Sequence, residues 1–509
     1  MTRLSRNIVY NVAGQGAVLI VSLIAVRFIF KHLGEDVFGI IFFNVVLTAV
    51  LSSVLELGVS STIVREVSSR YDTERRYVDE LIRTASGVYW AIGLLLVAAI
   101  WLAAPLLVTR WINLHTMDPQ SAATMLRILS ALALVALPKG LYTSLFRGRQ
   151  MMSLNNAIDV GTALLQQAGI LALLALASGS AYTVAAWMSI SALLGIAAYI
   201  LVAARLFGWR ALVPRFSTYV VRRNLGFTGN MMAVSVLSLV HIQAAQVIVS
   251  KVMSIGQFGY YGLVASTVNR ATFVTGAIAQ AAFPSFSNLF GLDLRDELLI
   301  QYRKLHDLVC FGTLPLFAGI CFAAIPVYSF IFGSGSIARL LLLPTAFLAL
   351  GSWMNATLTI PYMLSIAMGK AGIVARLNFY ALFAVLPVTL ILVLGFGLPG
   401  AGFSWVFYHL FAYAYMVPKI ARECLKSSAP SWYGHVLRVF ALGLAAYGIA
   451  WVAMNAIEPA TASLPLAVAA YLLGTALFVG GAYVMIGPDL RSTIQRLPGT
   501  LAVRKAGAR

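Results

Sequence analysis

The chain has 509 residues, 36 Lys and Arg against 17 Asp and Glu for a net charge of +19, 60% hydrophobic residues and only 10% charged ones. Roughly 25% charge is usual in a soluble domain, and a disordered basic tail needs low hydrophobicity, so both classes are excluded. The mean hydropathy of +0.88 leaves little polar surface for binding nucleic acid despite the basic pI, and the composition reads as an all-α, polytopic transmembrane protein.

Fourteen apolar runs of membrane-spanning length follow one another, at about 11–31, 38–60, 84–108, 124–146, 154–177, 182–203, 225–250, 257–283, 308–331, 340–363, 377–397, 401–420, 437–456 and 465–487. The first follows Arg3 and Arg6 and is too long for a signal peptide, with no small-residue cleavage site after it, so it reads as an uncleaved helix. Its start is slim and polar (Asn7, Asn11, Gly14, Gln15, Gly16), and Arg27 lies in its outer half. Lys31 to Asp36 lead into the second span, which carries Glu56 in its inner third. Lys139 lies in span 4, and Asp159 near the inner end of span 5. Ser178-Gly179-Ser180 marks the turn to span 6.

Span 7 opens on Asn224, Gly226, Thr228, Gly229 and Asn230 and has His241 at its middle. Arg270 is near the middle of span 8. Cys310 and Cys321 share span 9 at a helical separation of about 16 Å, too far for a disulfide. No metal-ligand spacing is present, and nothing in the sequence calls for a cofactor. Gly397-Leu398-Pro399-Gly400 turns span 11 into span 12, which carries His409.

Of the 36 basic residues, 27 fall on one alternate set of loops and four (Lys31, Arg110, Lys251 and Arg339) on the other. Basic loops stay cytoplasmic, so both termini are expected inside and the span number even. A shift of about 221 residues lays the first six spans on the next six: Arg83 falls on Lys304, Pro105 on Pro326, Gly148-Arg149 on Gly369-Lys370 and Gly179 on Gly400. At a shift of 220, Phe38-Gly39 meets Phe258-Gly259. The expected organisation is an N-lobe at 1–215, a C-lobe at 216–430, extra spans 13 and 14 within 431–487, and a basic cytoplasmic tail at 488–509. An even-numbered repeat implies a pseudo-two-fold axis along the membrane normal and two lobes able to rock about a central cavity.

A charge inside hydrocarbon is costly unless it faces a cavity or a partner. Arg270, Arg27 and Lys139 are therefore candidates for holding an anionic substrate, the Arg fork being suited to phosphate. The alternative is that they pair with Glu56 or Asp159, or snorkel. Asp159 and Glu56 are candidate ion-coupling sites, or simple partners for nearby Arg. Asn11, Gly14 and Asn230 are candidate gating residues, or tight-packing positions. Arg127 reads as an interfacial snorkeler and Arg438 as part of the cytoplasmic set. His241 and His409 read as packing histidines.

Several segments together resemble the polysaccharide, O-antigen-type flippases of the multidrug/oligosaccharidyl-lipid/polysaccharide exporter superfamily. They are Arg6-Asn7-Ile8-Val9-Tyr10-Asn11, Leu33-Gly34-Glu35-Asp36-Val37-Phe38-Gly39, Leu57-Gly58 with Ser60-Ser61-Thr62, and Gly256-Gln257-Phe258-Gly259-Tyr260-Tyr261. The resemblance covers roughly residues 1–430. It implies alternating access across the bacterial inner membrane, with a polyprenyl-diphosphate-linked oligosaccharide as substrate. It also implies membrane lipids, a polysaccharide polymerase and chain-length machinery as partners, and no nucleic acid. By similarity to lipid II flippases, spans 13 and 14 are expected to cradle a polyprenyl tail. A lipid II flippase is the nearest alternative. A multidrug exporter fits less well, because span 1 carries no acid. A membrane polymerase or ligase lacks a loop bearing catalytic groups, as the external connection 109–123 offers only Arg110, His115 and Asp118.

Overall fold

A computed structural model describes residues 3–176, 179–458 and 463–486; the side chains at 3–15, 17, 52–58, 227, 229–238 and 281 lie outside the description. In chain order the helices are α1 (Arg3–Arg70), α2 (Arg75–Arg110), α3 (Pro119–Leu129), α4 (Ala131–Gly148), α5 (Met152–Leu176), α6 (Ala181–Phe207), α7 (Trp209–Leu212), α8 (Thr218–Val252), α9 (Ile255–Ala271), α10 (Phe273–Gly291), α11 (Arg295–Phe332), α12 (Gly335–Ala367), α13 (Gly372–Ile420), α14 (Ala429–Ile457) and α15 (Leu464–Met485). Among the described residues there is no strand, and ten helices are long and apolar enough to cross a membrane.

The fourteen predicted spans map onto these helices in order. Two lie in α1, on either side of Gly34, and two in α13, on either side of Gly397. Both glycines adopt positive φ (81° and 61°), a region costly for a residue with a Cβ. The folding back at Gly397 is tight enough that a Cβ on Gly400 would lie 1.9 Å from the Leu392 carbonyl oxygen. Span 4 is interrupted at Ser130, between α3 and α4, and span 8 at Thr272, between α9 and α10. Asp118 caps α3, its carboxylate accepting from the Gln120 and Ser121 amides with Pro119 at the first helical position. Pro105 and Pro326, which the repeat superimposes, are both interior to their helices, α2 and α11.

The chain divides into two compact units, Met1–Gly262 and Leu263–Arg509. In the first, Ile63 and Val67 of α1 pack with Val78 and Ile82 of α2, Leu141 of α4 and Tyr199 of α6. In the second, Val309, Phe317 and Ile325 of α11 are buried together with Trp353 and Ile360 of α12 and Val439 of α14. Large apolar side chains such as Leu102, Leu106, Phe396 and Val484 stay exposed, the expected surface of helices solvated by lipid.

Candidate functional site

Two of the predicted charges meet in the first unit. Lys139 Nζ on α4 lies 2.8 Å from Asp159 Oδ1 on α5. The Tyr199 hydroxyl on α6 donates to the same oxygen at 2.9 Å. Both charged side chains keep access to their surroundings, at 42% and 37% exposure. The pair is neutral overall, and the accessible ammonium retains donor capacity for a further acceptor.

Arg27, half-buried in α1, also belongs to the first unit. Arg270 belongs to the second and is exposed. It occupies the last turn of α9, just before the interruption at Thr272. A cation is favoured there because the final carbonyls of a helix carry partial negative charge. Fifteen residues from Ile255 at 1.5 Å each place Arg270 roughly 22 Å along its helix. An exposed guanidinium on such a helix either faces a wet surface or snorkels toward an interface. Glu56, Asn11, Gly14 and Asn230 lie outside the described side chains.

Sequence reasoning passed over two polar assemblies at the ends of the first unit. At the Gly34 end, Asp36 is 2% exposed, and its Oδ2 accepts from the amides of His115 (2.9 Å), Thr116 (2.7 Å) and Met117 (2.9 Å). Beside it the Tyr260 hydroxyl donates to Glu35 Oε2 at 2.8 Å. Asn113 Nδ2 donates to the carbonyls of Lys251 and Met253, and its own carbonyl accepts from the Ile255 amide. Below these bonds the backbones touch. A Cβ on Gly39 would lie 2.0 Å from Ile255 O, and one on Gly259 would lie 2.9 Å from Gly39 Cα. Phe38-Gly39 and Phe258-Gly259 thus pack against each other, joining α1 just past its bend at Gly34 to the first turns of α9.

At the Arg70 end, Glu66 is nearly buried and faces Arg65 (2.6 Å) and Arg70 (2.9 Å). Glu74 takes Arg70 and, from α8, Arg223 at 3.2 Å. Arg223 also lies over the Tyr77 ring, 4.0 Å from its centroid. Asn224 donates to the Tyr77 hydroxyl at 2.8 Å, and Thr62 and Thr228 share a hydrogen bond of 2.8 Å. In this conformation α8 is therefore tied to α1 and α2 at one end and to the 111–113 segment at the other. The arginines here had been read as topological. The signal for their second role was the helical i, i+4 spacing of Glu66, Arg70 and Glu74.

The second unit contains an apolar groove of about 420 Å³ between α11, α12 and α14, lined among others by Phe317, Cys321, Trp353, Leu444, Gly448 and Trp451. Its shape and chemistry suit a hydrocarbon chain rather than a sugar or a phosphate. The remaining residues of interest take structural roles. His409 is buried with Nδ1 2.7 Å from the Trp405 carbonyl, and Arg127 stacks on Trp101 while donating to its carbonyl.

A family profile described as "Polysaccharide biosynthesis protein" matches residues 31–335. Three solved structures share the fold over most of both chains. "Inward-facing conformation of a multidrug resistance MATE family transporter of the MOP superfamily" has a TM-score of 0.66 at 15% identity, covering 82% of this chain and 96% of that one. "Lipid II flippase MurJ, inward closed conformation" has a TM-score of 0.67 at 13% identity, covering 93% and 99%. A MOP superfamily transporter from Pyrococcus furiosus, described as having a binding pocket of reversed polarity, has a TM-score of 0.57 at 14% identity, covering 85% and 95%. No curated protein matches the chain.

Proposed function

The chain belongs to the polysaccharide biosynthesis protein family, and on that premise we propose that it is an alternating-access flippase for a polyprenyl-diphosphate-linked oligosaccharide. The membrane is the bacterial inner membrane, with both termini cytoplasmic, and the substrate moves outward for surface polysaccharide assembly. The observation that carries this reading is the apolar groove along α14, which offers a long lipid tail a place outside any cavity for the glycan.

In this mechanism the lobes 1–215 and 216–430 rock about the substrate. The diphosphate pairs with Arg270, Arg27 and the accessible side of Lys139, while the tail lies in the groove. Opening toward the cytoplasm breaks the Arg223–Glu74 and Thr62–Thr228 contacts, whereas opening toward the periplasm parts the glycine seam at Gly39 and Gly259. Asn11, Gly14 and Asn230 lie on the helices that must move. Asp159 and Glu56 are the carboxylates available for coupling to an ion gradient.

A direct test is flipping of a labelled polyprenyl-diphosphate oligosaccharide in reconstituted vesicles, with and without an imposed ion gradient. No transport above protein-free vesicles would overturn the reading. Similarity to a lipid II flippase over 93% of this chain favours lipid II as the second reading. Competition by unlabelled lipid II decides between the two.

Two variants probe the parts separately. Gly448 lines the groove, and a Cβ there meets nothing within 4 Å, so the Gly448→Phe side chain starts in open space and extends into the groove. Transport of a long-tailed substrate is expected to fall at least about tenfold, while a short-chain analogue is spared; equal effects on both would remove the groove from the mechanism. The double exchange Lys139→Asp with Asp159→Lys preserves an ion pair but moves the cation from α4 to α5. It is expected to keep a normal gel-filtration profile and lose most transport. Full activity would make the pair purely structural.

A further inference from the structure

Near one end of α11 and α14 in the second unit, three metal-ligating side chains converge. His306 and Cys310 sit one helical turn apart on α11, and His435 comes from α14. Their ligand atoms all lie within 4.8 Å of one another. His306 and Cys310 are 4% and 0% exposed. The Cys310 sulfur is 3.6 Å from His306 Nε2. His435 Nε2 is 3.1 Å from Asp307 Oδ1.

We propose that His306, Cys310 and His435, with Asp307 as the adjacent carboxylate, form a zinc-class divalent metal site that clips α14 onto α11. Tetrahedral zinc has bonds of about 2.3 Å to sulfur and about 2.0 Å to nitrogen or oxygen, which sets ligand-to-ligand edges of roughly 3.5 Å for S···N and 3.3 Å for N···O. The two short contacts observed, 3.6 Å and 3.1 Å, already match such edges. Drawing the remaining ligands in by about 1 Å completes the coordination sphere.

The charge balance also favours a divalent ion. One thiolate and one carboxylate neutralise it, and two neutral imidazoles add no charge, so the complex can stay buried at the edge of an apolar core. Binding displaces the Cys310 thiol proton to water. Metal reaches the cluster from the His435 and Asp307 side, where the side chains keep 23% and 13% exposure. Tyr302 and Trp432 wall His306 on its other faces. Packing alone does not explain a His–Cys–His convergence, because apolar residues fill such a space without a desolvation cost.

The test is Co2+ titration of the full-length protein carrying no histidine tag. We expect about one equivalent to bind, with a thiolate-to-cobalt charge-transfer band and intense tetrahedral d–d bands that Zn2+ then displaces. Cys310→Ser should abolish the charge-transfer band, whereas Cys321→Ser should leave it unchanged. His435→Ala, altering a half-buried position, should weaken affinity at least tenfold with an unchanged gel-filtration profile. A chelator should lower the thermal transition of the wild-type protein and not that of His435→Ala. Absence of the band, or a band that survives Cys310→Ser, would overturn the proposal and leave the cluster as packing.

Discussion

Arg270→Ala is expected to abolish flipping in reconstituted vesicles, lowering the initial rate at least about a hundredfold. Two charge-assisted hydrogen bonds from a guanidinium fork to a phosphate contribute roughly 1.5–3 kcal/mol each, and about 2.8 kcal/mol is already a hundredfold. Protein yield and thermal midpoint should hardly move, because Arg270 is exposed and makes no ion pair among the described residues. The α9 carbonyls that favour the cation lose little when it is removed. Arg270→Lys keeps the charge but not the planar fork, and an intermediate rate is expected. A wild-type rate for the alanine variant would remove Arg270 from the headgroup site.

The second large effect is on stability. Asp36 is a buried carboxylate bonded to three successive backbone amides from another loop. Hydrogen bonds to a charged acceptor are worth more than neutral ones, and cutting all three leaves donors on a partly exposed loop that water satisfies only in part. Asp36→Ala should therefore cost about 2–4 kcal/mol, and Asp36→Asn less, since an amide oxygen still accepts. Equilibrium unfolding in detergent micelles reads the loss directly; an unchanged midpoint for the alanine variant would show that the loop is held by other contacts. Transport should also suffer, because the Asp36 bonds brace the same bend of α1 that packs on α9.

Most of the helical layout was legible because a membrane imposes a strong filter: some twenty apolar residues per span, with punctuation between them. The glycine turns at Gly34 and Gly397 and the serine-rich turn before α6 were visible as composition. The interruptions at Ser130 and Thr272 were not, since no proline or glycine marks either one. Lys139 and Asp159 were each conspicuous as charges in apolar runs, but their pairing depends on how α4 and α5 are rotated about their axes, which span-counting does not reach. Asp36 stands out in the sequence only as part of the Leu33-to-Gly39 segment; its bracing role is hidden because its partners are backbone amides, which every residue possesses. His306 and Cys310 stand four apart, a helix-face spacing, but their third companion is more than a hundred residues away on α14.

The seam joins Phe38-Gly39 to Phe258-Gly259, two segments of like sequence, much as an isologous interface joins a surface to its copy. In a true homodimer any substitution there would appear on both sides at once. In a single chain each side varies alone, so a bulky residue at position 39 or 259 strains the contact once rather than twice. The two sides already differ, with Ile40 in one and Tyr260 in the other. Tyr260 donates its hydroxyl to Glu35, a bond that an isoleucine at that position cannot make. A joint between two like segments thus carries a polar latch on one side only.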